Sequence, residues 1–425
     1  MKNICKITNV SITKNRIEVE FDAQGDLQKY FVGNKYWVEY SQDVSSVPAL
    51  VAIIPFISNF AILASIVDAR FEVEAIDEDF ANCLKDVVGG FEKMYPMMKF
   101  SKEFFVTGTY FVKNNRAKIE KAAAFFSGGV DAFNTLVCHA DENPDLITVW
   151  GGDVKLDDVE GWKNVYNHVE KTKKDFNCNS IVVKSNFRLC ISERECGRLV
   201  KVLKANDGWW HGFQSGLSLQ GLAAPLAFLN NYTKTYFAST FSFRDKGKYT
   251  CASDPTTDNF VKFCGCQIVH DGYEFSRQDK VHNIIQFSRE RNVKIEPRVC
   301  WISTGGKNCC VCEKCYRTII EFVAESADPN DFGFEWNKKK IEKFKHAVKY
   351  KLMIFPEFNY CYYQDAQMLM KEKSENFLPE YKWFLELNLK NFNHYPLKVL
   401  RRNLSRVYAF PRRVLSKILR VLKLK

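Results

Sequence analysis

Ala122-Ala123-Ala124-Phe125-Phe126-Ser127-Gly128-Gly129-Val130-Asp131-Ala132-Phe133 decides how the chain is read. Its first five residues form a short, unbroken apolar run, the pattern of a strand buried on both faces of a parallel sheet. A glycine pair then permits a tight turn, and a helical stretch runs on to Cys138-His139. Such a turn points several backbone N–H groups and the positive end of the helix dipole at one place, where an anion is favoured. Ser127 adds a hydroxyl donor, and Asp131 is placed to cap the helix or to help hold Mg²⁺. Ser-Gly-Gly alone also occurs in ordinary strand-to-helix turns, so the flanking strand and helix carry the reading.

Outward from this loop, similar apolar runs recur at Leu146–Trp150, Ser180–Val183 and Thr235–Ala238. Helical stretches separate them, about 161–176 and 212–229. Repeated strand–helix–strand order predicts an α/β fold, a parallel doubly wound sheet with helices on both faces. Residues 1–111 read as an N-terminal α+β accessory domain. Arg16–Phe21 and Tyr36–Tyr40 alternate like half-exposed strands, and a helix from about Asp77 to Met94 follows. Lys113-Asn114-Asn115-Arg116 marks a linker. The sheet domain then covers 121–325, and 335–425 is a helical C-terminal extension. Val47 to Ile66 carries no charge and is long enough to span a bilayer, but Pro48, Pro55, Ser58, Asn59 and Ser65 interrupt it. It is expected to be buried core.

The chain has 425 residues, of which 46% are hydrophobic and 26% charged, which excludes a disordered tail protein, a collagen-like fibre and a small disulfide module. Its net charge of +11 invites a nucleic-acid reading. The distribution argues otherwise: residues 387–425 hold eleven Lys and Arg and no carboxylate, and without them 50 basic residues face 50 acidic ones. The excess belongs to the C-terminus. There Leu397, Leu400, Leu404, Val407 and Tyr408, and after Pro411 Val414, Leu415, Ile418, Leu419 and Leu422, follow helical spacing with basic residues between them. A basic amphipathic helix suits an anionic membrane surface, although a helix docked on its own protein or in a homo-oligomer has the same pattern. Few aromatics accompany these charges, so stacking on RNA bases is poorly supported.

Fifteen cysteines, an odd number, follow an N-terminus with no apolar leader, so a cytoplasmic protein with reduced thiols is expected. Cys309, Cys312 and Cys315 stand three apart, and Cys300 precedes them by nine. Two CxxC steps sharing a cysteine wrap one tetrahedral ion, and a fourth thiolate closes a structural Zn²⁺ site. Gly305-Gly306 lets the chain reverse between Cys300 and Cys309. Cys310 competes with Cys309 for the ligand position.

Ser127–Asp131 resembles the SGGxDS loop of the PP-loop superfamily, the N-type ATP pyrophosphatases with an adenine nucleotide α-hydrolase-like (HUP-like) fold. That resemblance implies ATP with Mg²⁺, cleavage between the α- and β-phosphates, and adenylation of a carboxylate or carbonyl oxygen on a small molecule for attack by ammonia or another nucleophile. The C-x8-C-x2-C-x2-C spacing is similar to the zinc positions of the cyano-deazaguanine synthases, PP-loop enzymes that turn a carboxylate into an amide and then a nitrile. Together the two motifs cover about residues 121–320. Two departures stand out. Ala132 occupies the usual Ser or Thr position of the loop, and Trp209-Trp210-His211-Gly212-Phe213-Gln214 stands where an Arg-Asn substrate motif is expected. Similar sequences occur in surface-polysaccharide settings, and other PP-loop enzymes modify tRNA; a nucleotide-binding regulator or scaffold is the non-enzymatic alternative.

Supporting positions follow the strands, because ligands of open α/β sheets bind beyond the carboxyl ends. Ser127, Gly128, Gly129, Val130 and Asp131 form the ATP loop, joined by Asp153 and Lys184. Asp153 also suits a helix N-cap, and Lys184, with Ser185 and Arg188, also suits a solvated surface. Arg277 and Lys280, on one helical face, are expected to neutralise leaving pyrophosphate or to pair with Glu274. With Asp131 they form the catalytic set. His211, Ser253 and Asp254 are the substrate-side candidates; the first is also a packed imidazole, the others a plain turn.

Overall fold

The computed structural model describes residues 3–114, 120–300, 302, 307–350, 360–373 and 379–389. Gly305-Gly306 and the basic tail, 397–425, lie outside the described residues, so the membrane-surface expectation rests on sequence alone.

Among the described residues twelve strands are formed: β1 (Asn3–Ile12), β2 (Arg16–Ala23), β3 (Lys35–Tyr40), β4 (Ala69–Glu72), β5 (Ala75–Asp77), β6 (Tyr110–Val112), β7 (Ala122–Phe125), β8 (Asp145–Trp150), β9 (Ser180–Ser185), β10 (Lys234–Ala238), β11 (Lys262–Phe263) and β12 (Cys266–Asp271). All but β5 and β6 join one sheet, in the order β11-β12-β10-β7-β8-β9-β3-β2-β1-β4. From β12 to β9 every neighbour is parallel. The chain winds from β7 outward through β8 to β9, then returns to place β10 and β12 on the other side of β7. The sheet is therefore doubly wound about β7 and β10, and the crevice beyond their carboxyl ends is where open α/β sheets bind ligands.

The apolar run of β7 is buried throughout because both of its faces are covered. Ala123 and Phe125 join the core that contains the helix Ile54–Ile66. On the other face, Phe126 meets Phe133 with ring centroids 5.0 Å apart, and Phe133 lies 6.3 Å from Phe176. That places the helices Val130–Cys138 and Val159–Phe176 there. Residues 54–65 are all buried, and no helix among the described residues is long and apolar enough to cross a membrane. Pro55 sits in the first turn of its helix, where a missing N–H costs nothing.

Two expectations are corrected. Residues 1–111 are not a separate domain: β3 pairs antiparallel with β9, Val38 opposite Ser185 and Tyr40 opposite Val183, and so extends the parallel sheet. The free edge of β9 is covered by N-terminal strands, which satisfies its backbone groups. The chain divides instead into Met1–Val293 with Thr304–Gly306, and Lys294–Ser303 with Lys307–Lys425. The cysteine segment thus belongs with the C-terminal helices and not with the ten-stranded sheet. In that second unit the helix Glu313–Ala324 buries Tyr316, Ile319 and Phe322, and Tyr316 and Trp336 both pack on Phe344.

The helix expected over 212–229 is broken into a π-turn at Trp210–Gln214, short turns at Leu217–Gln220 and Gly221–Ala223, and the helix Ala224–Asn230. Pro225 lacks the N–H that a continuous helix needs. Gly216 and Gly221 are set by close approach, since a Cβ would collide with the Ala252 carbonyl and the Ser58 hydroxyl respectively.

Phe56 is fully buried and touches the rings of Phe21, Tyr36, Phe60 and Phe71. Phe56→Ala is expected to destabilise the first unit by about 3–5 kcal/mol in guanidinium unfolding. A loss well below 1 kcal/mol would show that this helix is not core.

Candidate functional site

The turn after β7 has the geometry that the glycines allow. Gly128 has φ +75°, a left-handed conformation that costs other residues a Cβ clash. Gly129 precedes the helix Val130–Cys138, whose first turn has no side-chain cap. The N–H of Gly129 reaches the Ser127 hydroxyl at 3.3 Å. An uncapped first turn, a hydroxyl and a positive helix end thus meet at the carboxyl end of a central strand.

Two cations stand against this loop. Ser276 caps the helix Arg277–Arg291 in a reciprocal capping box with Asp279, which fixes Arg277 and Lys280 in its first turns. Lys280, 2% exposed, donates to Asp131 Oδ1 at 3.1 Å and to the Ser239 carbonyl. Arg277 Nη1 reaches Asp131 Oδ2 at 3.5 Å. Asp131, Arg277 and Lys280, expected as one set, are thus brought together, with the loop residues Ser127 to Val130 in the same segment.

Behind them lies a group not anticipated from sequence. Asp271, the last residue of β12, accepts from Thr135 Oγ1 at 2.6 Å and pairs with His139 Nε2 at 2.7 Å. The His139 ring stacks on Tyr236, 3.8 Å between centroids. Burial pushes the Asp271 carboxyl up, but hydrogen bonds from His139 and Thr135, with the His139 and Lys280 charges, bring it below its ordinary value. Burial pulls the His139 imidazole down; Asp271 and Glu142 outweigh that and raise it. The available signal was position alone, a carboxylate at the end of an alternating strand.

The remaining candidates stand apart from this group. Asp153 is exposed on the loop after β8, and the cap of the following helix is Asp158. Lys184 pairs with Glu39 at 3.5 Å and lies over the Trp150 ring, while Arg188 bonds Glu193 and the Gly152 carbonyl. Ser253 donates to Asp258, and Asp254 caps a single turn at Pro255–Asp258. His211 is held by Asp207 Oδ2 at 2.8 Å.

In the second unit the sulfurs of Cys300, Cys309, Cys312 and Cys315 lie within 4.8 Å of one another. The Cys300–Cys312 and Cys309–Cys315 separations are 4.0 and 3.9 Å. Thiolates about 2.3 Å from a tetrahedral Zn²⁺ stand about 3.8 Å apart, so the set fits zinc, and four protein ligands close the site. Cys310 has φ +55° and turns its sulfur to the Asn308 carbonyl, outside the group, which decides between it and Cys309. Asn308, overlooked in the sequence, ties the two halves: its Oδ1 accepts from the Val299 and Cys300 N–H groups and its Nδ2 donates to the Pro297 carbonyl. Hydrogen bonding from Cys315 draws the Cys312 thiol below its ordinary value. Compared with known protein families, curated proteins and solved structures, the chain matches none.

About one zinc per chain is expected by elemental analysis, retained in Cys310→Ser and lost in Cys312→Ser; metal loss in the first variant alone would reverse the ligand assignment. The His139–Asp271 pair contributes fully between the ordinary values of 3.8 and 6.5 for the two groups. The contribution is lost as pH rises through the raised value of His139 or falls through the lowered value of Asp271. The stability difference between the wild type and His139→Gln, read by urea unfolding, should be largest near about pH 5 and shrink as pH rises through the raised value of His139.

Proposed function

We propose that the chain is an ATP pyrophosphatase-type enzyme that binds ATP at Ser127–Asp131 and adenylates a carboxylate or carbonyl oxygen of a small molecule. The observation that supports it is one arrangement: an uncapped glycine turn at the switch point of a doubly wound sheet, faced by the buried cations Lys280 and Arg277.

The chemistry follows from these groups. The Ser127 hydroxyl and the N–H groups of Gly128, Gly129 and Val130 would hold phosphate oxygens. The substrate oxygen attacks the α-phosphorus, the bond to the bridging oxygen breaks, and pyrophosphate leaves with the electron pair. Lys280 and Arg277 stabilise the charge that develops on it, which is the main catalytic term in such reactions. Ammonia or another nucleophile then displaces AMP.

Asp131 pairs with both cations. An incoming polyphosphate competes for them, and the released carboxylate would be free to hold Mg²⁺, whose charge would offset that of the phosphates. Ala132 withholds one hydroxyl from the phosphates, while the backbone donors of the turn do not depend on that side chain. The same residue favours a second reading, a nucleotide-binding regulator without turnover. The Zn²⁺ site, with all four positions taken by cysteines, belongs to the architecture of the second unit. A tRNA substrate is disfavoured by the neutral charge of residues 1–386. Attachment to the inner membrane surface through 397–425 is a proposal from the tail's composition.

Incubation with ATP, Mg²⁺ and a panel of small-molecule acids is expected to release AMP and pyrophosphate. Lys280→Met should lower that rate by about 10²-fold or more. Release of ADP and phosphate instead would remove the α-phosphorus mechanism, and ATP binding without turnover on any acid would favour the regulator.

A further inference from the structure

The second unit carries a surface that the phosphate chemistry does not use. Divided between the two units, the charges fall unevenly. Met1–Val293 with Thr304–Gly306 holds 35 basic and 36 acidic residues, and the second unit holds 26 basic and 14 acidic ones. Part of that excess lies on a folded element. The helix Lys338–Tyr350 has six lysines against one acid, Glu342. Ile341, Phe344 and Val348 are buried along its inner side, Phe344 against Tyr316 and Trp336. Lys339 and Lys343, about one turn apart, are exposed and have no ion-pair partner among the described residues. Lys340, by contrast, reaches Glu335 at 3.3 Å.

A cavity of about 550 Å³ opens between this helix and the zinc loop. Lys339, Glu342, Lys343 and His346 line it from the helix, Val311 and Tyr316 from beside the zinc ligands. Its volume falls in the range of about 300–1,000 Å³ that takes small ligands. The zinc loop supplies the apolar half of the pattern. Val311 immediately precedes the ligand Cys312, and Ile302 stands two residues after the ligand Cys300. They are 48% and 65% exposed, so aliphatic groups are held in water beside a backbone that the cysteines fix. Exposed apolar groups next to unpaired lysines suit the boundary between headgroups and acyl chains. Base stacking is poorly served, because Tyr316, the aromatic that lines the cavity, is 2% exposed.

We propose that this face of the second unit docks on an anionic bilayer. Lys339 and Lys343 hold the phosphate of a lipid headgroup at the cavity, and Val311 enters the acyl boundary. The site is independent of the ATP reading. It adds a folded contact to the basic tail, 397–425, in the same unit, and two attachments together hold where a single one releases readily.

Co-sedimentation of the intact, zinc-loaded chain with phosphatidylcholine vesicles, with and without phosphatidylglycerol, tests the site. Wild type is expected to bind only the vesicles that contain phosphatidylglycerol. Lys339→Ala combined with Lys343→Ala should weaken that binding about tenfold or more, and Val311→Ser about tenfold. Glu342→Gln should tighten it. Retention of about one zinc per chain in each variant separates a lost contact from a folding defect. Equal binding by wild type and the zinc-retaining lysine variant, or equal binding to both kinds of vesicle, would overturn the proposal. Binding that is lost on replacing Arg401, Arg402, Arg412 and Arg413 by Gln, yet unchanged in the lysine variant, would leave the tail as the anchor and remove this site. A chain that binds no vesicle but binds single-stranded RNA through the same two lysines would assign them to nucleic acid instead.

Discussion

Lys280 carries a positive charge into a position only 2% exposed, and the ends of three strands are arranged around it. An isolated ammonium at such a place costs several kcal/mol in lost hydration, so it must be met by an anion and by oriented oxygens. Asp131, from the helix after β7, supplies the anion, and the Ser239 carbonyl, just after β10, supplies an oxygen. Lys280 itself stands on the helix that follows β12. One cation therefore ties β7, β10 and β12 at their carboxyl ends, where the winding of the sheet reverses. Gly272 belongs to the same fit: with φ +75° it passes close to both the Asn134 amide and the Lys280 stem.

That constraint gives the site a latent character. The carboxylate that stabilises the buried cations is also the group with which a phosphate, under the proposed function, would compete. Under the proposed function, binding and release at the loop would be exchanges between anions, which would let a strongly charged ligand enter without leaving buried charge unpaired. Asp271 stands one layer behind, its carboxyl held below its ordinary value, against burial, by hydrogen bonds from His139 and Thr135.

The loop and the central strands were legible in the sequence because they depend on local rules: an apolar run buried on two faces, glycines where φ must be positive, a helix behind them. The cysteine spacing was legible for the same reason, since one ion fixes local geometry. What depended on distant pairing was not. The alternation in Arg16–Phe21 announces a strand and says nothing of which sheet receives it, so the antiparallel extension of β9 by β3 was hidden. Gly216 and Gly221 look permissive in a helix, and only the packed structure shows that backbone approach places them. Asp207 and Thr250 are separated by 43 positions in the chain, and the returning loop after β10 brings them together.

Pyrophosphate titration of the intact protein by calorimetry, with and without Mg²⁺, examines the exchange at Lys280. Wild type should bind pyrophosphate and bind it more tightly with Mg²⁺. Lys280→Met should bind at least about tenfold more weakly. Asp131→Asn, lacking the competing carboxylate, should bind metal-free pyrophosphate at least as well as wild type while losing the benefit of Mg²⁺. Equal affinity in wild type and Lys280→Met would contradict the placement of the phosphate site.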